Sequence, residues 1–236
     1  MTDHKMAIAI DGPAASGKSS TARSVARILG FRHVDSGALY RAATAARSMR
    51  GGDPSSWAES SVLDAARSVT LEANAAGFTP VIDGRPAEAE LRSDNVTGNV
   101  SLVARMGSIR QWVNGEVRRA GLHYDVVVDG RDIGTVVFPD APLKIFLIAN
   151  PAERARRRLR ERLDREPRPD EVAAETLTIN SRDEMDAVQS GMASEAILID
   201  TTSLSQDEQV EQIVALARAV RLKQLRLNTP PETDRK

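Results

Sequence analysis

The sequence predicts an α/β fold of three layers, a central and mostly parallel sheet covered on both faces by helices, built around a phosphate loop. Three observations predict it. Short apolar blocks of the kind that form strands buried on both faces recur at Met6–Ile10, Val126–Val128, Ile145–Ala149 and Ile197–Ile199. Stretches with apolar residues at helical spacing lie between them. A glycine-bounded turn, GPAASGKSS at residues 12–20, joins the first strand to the first helix. Strand and helix in alternation imply a parallel sheet, because each crossover must carry the chain back over one face.

The elements follow in order. After the first strand and its turn, Ser19–Leu29 is rich in Ala and Arg and stops at Gly30, a residue suited to a left-handed helix cap. Between about residues 52 and 100 the alternation breaks. There, Val69–Ala73 and Thr79–Ile82 are short β-like runs, joined by NAAG and closed by DGRP, and they predict a small antiparallel lobe inserted into the core. Ser101–Arg119 has helical spacing and leads to the strand at Val126–Val128, which ends at Asp129. The strand at Ile145–Ala149 is followed by an Arg-rich second insertion at 153–169. The strand at Ile197–Ile199 precedes Asp200, and Gln206–Leu222 forms the last helix. Residues 226–236, polar and containing Pro-Pro, are expected to form a disordered tail. The expected organisation is one domain over 1–225, with a core of 1–51, 101–152 and 170–225.

Composition narrows the function. Thirty-two Lys and Arg nearly balance 33 Asp and Glu, a net charge of -1 that argues against DNA or RNA as the main partner. The absence of cysteine excludes disulfides, zinc–thiolate centres and thiol nucleophiles. The first apolar run is too short for the core of a signal peptide, and no stretch has the length of a membrane span. A cytoplasmic protein without a membrane partner is the expectation.

Gly12, Gly17, Lys18 and Ser19 fit the phosphate-loop pattern, with Pro13, Ala14, Ala15 and Ser16 between the glycines and Ser20 after them. In such a loop backbone N–H groups converge on phosphate oxygens, and the helix N-terminus adds partial positive charge. Lys18 is expected to reach the outer phosphates and Ser19 to ligate Mg2+, with Asp129 as a second acid near the metal. The Asn-Lys-x-Asp signature of guanine readers is absent, which disfavours a GTPase.

Basic residues beside Asp or Ser recur along the chain. They include the Asp35-Ser36-Gly37 turn with Tyr40 and Arg41, then Arg110, the Asp129-Gly130-Arg131-Asp132 run, the 154–168 cluster, and Arg182-Asp183. If they converge, their forked donors suit two sets of phosphates facing each other. A phosphate monoester acceptor is already anionic near neutral pH and needs no general base, so positioning and charge neutralisation suffice. The Arg-rich run also reads as an ordinary exposed helix, with Glu153–Arg157 and Glu161–Arg165 at i,i+4 spacing. His4, His33 and His123 have no ligand spacing and are assigned no site, and Trp57 and Trp112 read as packing residues.

On these residues the chain resembles the bacterial cytidylate kinases, of the nucleoside monophosphate kinase group. The resemblance rests on IDGPAASGKSS, DSGALYR, NVSLVARMGSIRQWV, VVVDGRDIGTVVFPDAPLKIFL, NPAERARRR, RDEMD and ILIDTTSL, which run in the family's order from residue 8 to about 204. It implies a monomer that transfers the γ-phosphoryl group of ATP, with Mg2+, to CMP or dCMP. It also makes the insertion at 52–100 an acceptor-side lobe and 153–169 a lid. By the same resemblance Ser36, Ser101, Arg110 and Asp186 would read cytosine. Arg41, Arg131 and Arg182 would hold the acceptor phosphate, Asp132 would meet the sugar hydroxyls, and Arg157 and Arg158 would close on the transferring group. After Asp186 the stretch DAVQSGMASEA is shorter than the family pattern, and Gln189 stands where that pattern has an Arg. A kinase for another phosphorylated metabolite or nucleoside monophosphate is the alternative.

Overall fold

The computed structural model describes residues 5–186 and 191–227. The chain opens with β1 (Ala7–Asp11), α1 (Lys18–Leu29), β2 (Arg32–Asp35) and α2 (Ser36–Ser48). The inserted stretch holds α3 (Glu59–Ala66), β3 (Val69–Ala73), β4 (Phe78–Ile82), β5 (Arg85–Pro86), α4 (Glu88–Leu91) and α5 (Asp94–Val103). The chain returns through α6 (Gly107–His123), β6 (Val126–Gly130), a wide helical turn at Ile133–Val137, and β7 (Leu143–Ile148). It finishes with α7 (Pro151–Leu163), α8 (Pro169–Asp186), β8 (Ile197–Asp200) and α9 (Gln206–Leu227).

The main sheet has the order β2-β6-β1-β7-β8, and every neighbouring pair is parallel. The middle of β1, Ile8–Ile10, and the start of β6, Val126–Val128, are wholly buried, as expected of strands sandwiched between helices. One face packs under α1 and α9, with Ile8, Ile10, Val25, Ile145 and Ile213 in its core. The other packs under α2 and α6, and this core runs on without a break into the inserted lobe through Val69, Ile82, Leu91 and Val96. A third, small core of Ala155, Leu159, Val172 and Ile179 lies between α7 and α8, with Ala15 of the phosphate loop against it.

The strands expected from the sequence are present, each within two residues of its expected ends, and the inserted lobe is an antiparallel sheet in the order β3-β4-β5. Three expectations need correction. β2 was not foreseen: only Val34 of RHVD is strongly apolar, yet the strand forms on the sheet edge beside β6. The expected single helix over 101–119 is two helices, because the chain turns at Ala104–Met106, and α6 starts at Gly107. α9 extends to Leu227, two residues into the expected tail, and residues 228–236 lie outside the described residues. Among the described residues no helix is long and apolar enough to cross a membrane.

Candidate active site

A cleft of about 1100 Å3 opens at the carboxyl ends of β1, β2 and β6, where a parallel sheet presents its loops. The phosphate loop forms its floor. Gly17 caps α1 in the left-handed region (φ 86°), a conformation that turns the chain into the helix. Gly12 serves a different need: a side chain there would run into the Leu147 carbonyl, so glycine lets β1 and β7 approach. Lys18 is buried and donates from Nζ to the Pro13 carbonyl (2.6 Å). Burial, and then the nearby Arg131 charge, lower its pKa well below that of an ordinary lysine.

Ser19 Oγ donates to one carboxylate oxygen of Asp129, and His33 Nε2 lies 2.6 Å from the other. Burial alone would raise the Asp129 pKa, but the His33 hydrogen bond and charge, with Ser19 and Lys18 adding, hold it below the usual carboxylate range. His33, assigned no site from the sequence, therefore sets the geometry of the acid behind Ser19. Its partner is 96 residues away, so no local spacing could have shown it.

The opposite wall carries the arginines. Asp35 caps α2 through the Ala38 N–H (2.9 Å) and pairs with Arg41 at 2.8 Å. Its pKa is raised, first by burial and then by the charge of Asp129. Ser36 Oγ donates to the Asp129 carbonyl (2.8 Å). Arg110 pairs with Asp132 and also donates to the Ala104 carbonyl (3.2 Å). Arg131 reaches Asp186 at 3.3 Å and the Gly12 carbonyl at 3.2 Å. Burial raises the Asp132 pKa in spite of Arg110, and burial carries the Tyr40 hydroxyl up to about 12. The half-buried Arg182 has its pKa lowered by burial and then by Arg131, and its Nε has no hydrogen-bond partner among the described residues.

A further side of the cleft is formed by α7 and α8. Arg157 donates to Thr201 and to Glu153, and Arg158 pairs with Glu175 at 3.2 Å. The expected Glu153–Arg157 pair forms (3.2 Å), but Arg165 pairs with Glu171 (2.7 Å) rather than Glu161, because the helix has already ended at Leu163.

Ala14 through Ser20, Ser36, Gly37, Tyr40, Arg41, Ser101 and Arg110 all line this one cleft, as do Asp129, Arg131, Asp132, Arg157, Arg158, Arg182 and Asp186. Gly12 and Pro13 sit behind its surface, and Gln189 lies outside the described residues. Trp57 is buried packing, as read from the sequence. Besides His33, sequence reasoning gave no role to Asp11 or Glu175, and it named Arg154 and Asp183 only within basic runs; all four are buried or partly buried partners of residues far away in the chain. Asp11 accepts from the N–H groups of Ile133 (2.9 Å) and Gly134 (2.7 Å) and so fixes the turn after Asp132. Among the described residues no cluster of three or more His, Asp or Glu could cage a metal. A divalent cation here would find the Ser19 hydroxyl, the Asp129 carboxylate and whatever oxygens a ligand brings, a hard-oxygen set that fits magnesium.

A model of the cytidylate kinase family matches residues 8–219. The cytidylate kinase of Oceanobacillus iheyensis is 40% identical over 218 residues, covering 90% of this chain and 94% of that one. That of Pelotomaculum thermopropionicum is 41% identical over 219 residues, covering 91% and 96%. Among solved structures, an uncharacterized protein from Eubacterium ventriosum superposes with a TM-score of 0.52 at 12% identity, over 91% of this chain and 99% of that one, a likeness of fold alone.

Proposed function

The chain belongs to the cytidylate kinase family, and from that premise we propose how this cleft works. The protein is a (d)CMP kinase: it transfers the γ-phosphoryl group of ATP to CMP or dCMP, giving ADP and CDP or dCDP. The family match does not favour another acceptor. The observation that carries the mechanism is a single cleft with a phosphate loop on its floor and Arg41, Arg110, Arg131 and Arg182 on its wall.

The donor phosphates lie over Ala15–Ser20, where the backbone N–H groups and the N-terminus of α1 face them and Lys18 leaves Pro13 for the outer phosphates. Magnesium, bound with ATP, would neutralise the developing charge between donor oxygens. Ser19 and Asp129 would hold it, Asp129 being kept ionised and aimed by His33. The acceptor phosphate takes Arg41, Arg131 and Arg182. Arg182 already has an unpaired Nε, while Arg41 and Arg131 must exchange Asp35 and Asp186 for it. The Asp186 carboxylate is an acceptor for the amine that distinguishes cytosine from uracil, beside Ser36, Ser101 and Arg110. Gly37 and Tyr40 wall the same side, and Asp132 meets the sugar. Arg157 and Arg158 reach the transferring group from the lid. No base is needed, because the attacking phosphate oxygen is already anionic.

The same reading makes 52–100 the acceptor-side lobe and 153–169 the lid, and places the protein in the cytoplasm as a monomer on free nucleotides. The balanced charge supports nucleotides rather than nucleic acid or membrane as its partners. An ADP-release assay with ATP and magnesium against CMP, dCMP, UMP, AMP and GMP tests it. Turnover of CMP and dCMP with weak UMP is expected; a silent CMP reaction would overturn it.

A further inference from the structure

Ala14, in the middle of the phosphate loop, is gripped from behind at both polar atoms of its backbone. Its N–H donates to Asp183 Oδ1 (3.1 Å) and its carbonyl accepts from Arg154 Nη1 (2.8 Å). The same Arg154 Nη1 lies 2.6 Å from Asp183 Oδ2, so guanidinium, carboxylate and peptide close one ring. Arg154 Nε donates in turn to the Ala149 carbonyl at the end of β7 (3.1 Å), and the Arg154 side chain is only 5% exposed. A buried arginine with so complete a set of partners holds a fixed position.

Arg154 is in the first turn of α7 and Asp183 in the last turn of α8, so both roots of the lid hairpin converge on the backbone of this one residue. The next residue, Ala15, has φ 56°, an unfavourable region for an alanine. Ala14 directs its own N–H away from the cleft, and this orientation sets the course of the backbone that follows through Ser16 and Gly17.

We propose that Arg154 and Asp183 are positioning residues for ATP: by clamping the Ala14 peptide they hold the phosphate loop in the curvature that aims its N–H groups at the donor phosphates. Neither touches a substrate. The proposal rests on the reading of the loop as the ATP site.

Calorimetric titration of the full chain with a non-hydrolysable ATP analogue, and separately with CMP, tests the clamp in Asp183→Ala and Asp183→Asn. Asp183→Ala should weaken the analogue by about tenfold to a hundredfold, the effect of losing a buried charged partner, and leave CMP within about twofold. Asp183→Asn keeps an acceptor for the Ala14 N–H and should restore part of that loss. Analogue affinity within twofold of wild type in both variants would overturn the proposal, as would equal weakening of both ligands. If Asp183→Ala does not fold, unchanged analogue affinity in Asp183→Asn overturns it alone. Failure of the wild type to phosphorylate CMP would instead count against the acceptor assignment, because the ATP arm does not depend on the acceptor.

Discussion

Replacing Arg182 by Met should leave a protein that melts higher and barely turns over. Arg182 is half-buried, its Nε is unpartnered among the described residues, and burial together with Arg131, Arg158 and Arg41 disfavours its charge, opposed by Asp186. Methionine keeps an unbranched apolar stem of similar reach and removes the charge. Substituting apolar side chains for poorly compensated buried charge is commonly neutral or stabilising, and for this half-buried group about 1 kcal/mol of gain is expected. In a chain of 236 residues that corresponds to roughly 2 to 4 °C in Tm. The same change removes a cation that the proposed mechanism sets against the acceptor phosphate, which should lower kcat/KM by roughly a hundredfold to a thousandfold. Thermal melts without nucleotide, and CDP formation at saturating ATP, read the two effects separately. A lower Tm, or turnover within tenfold of wild type, would refute the claim that this arginine is held at a cost for the sake of the acceptor.

Burial of Asp11 carries its pKa from 3.8 to about 6 despite the N–H groups of Gly134 and Ile133, so the folded state holds its proton more tightly than the unfolded chain. Its contribution is least favourable above pH 6 and improves as pH falls toward 4, by on the order of 3 kcal/mol in all. The Tm of wild type minus that of Asp11→Asn should therefore rise as pH falls through that window, and a flat or falling difference would contradict it. Gly12→Ala drives a methyl group into the Leu147 carbonyl and should lose about 3 kcal/mol or more of stability in urea melts. Glu175→Gln takes the anion from between Arg158 (3.2 Å) and Arg162 (3.3 Å), and hydrogen exchange in α7 and α8 should quicken by about tenfold while α1 is unaffected.

The phosphate loop was legible because its chemistry is written within nine consecutive residues between a strand and a helix, and the main strands because burial on both faces leaves continuous apolar runs. β2 escaped because an edge strand in contact with a polar site carries Arg32, His33 and Asp35 around one valine. The break between α5 and α6 escaped because Ala104, Arg105 and Met106 all favour helix on their own, while the contacts that hold the turn, Glu59 accepting from the Ser108 N–H and Arg110 donating to the Ala104 carbonyl, are tertiary or follow from the turn itself. The cleft arginines and their acidic partners were each visible, but which pairs with which was not. Arg131 meets Asp186 across 55 residues and Arg154 meets Asp183 across 29, separations at which spacing carries no information.

The three separate hydrophobic clusters give the two sides of the cleft different scope for change. The α7–α8 hairpin has a core of its own and touches the rest of the apolar interior through little more than Ala15. A hairpin of another length or sequence can therefore be spliced in, provided the residues at its two roots are kept. The inserted lobe shares its core with α2, α6 and β6, so Val69, Ile82, Leu91 and Val96 are part of what keeps the sheet itself together. Redesigning the inserted lobe means repacking the core it shares with the sheet, whereas the α7–α8 hairpin can be altered by itself.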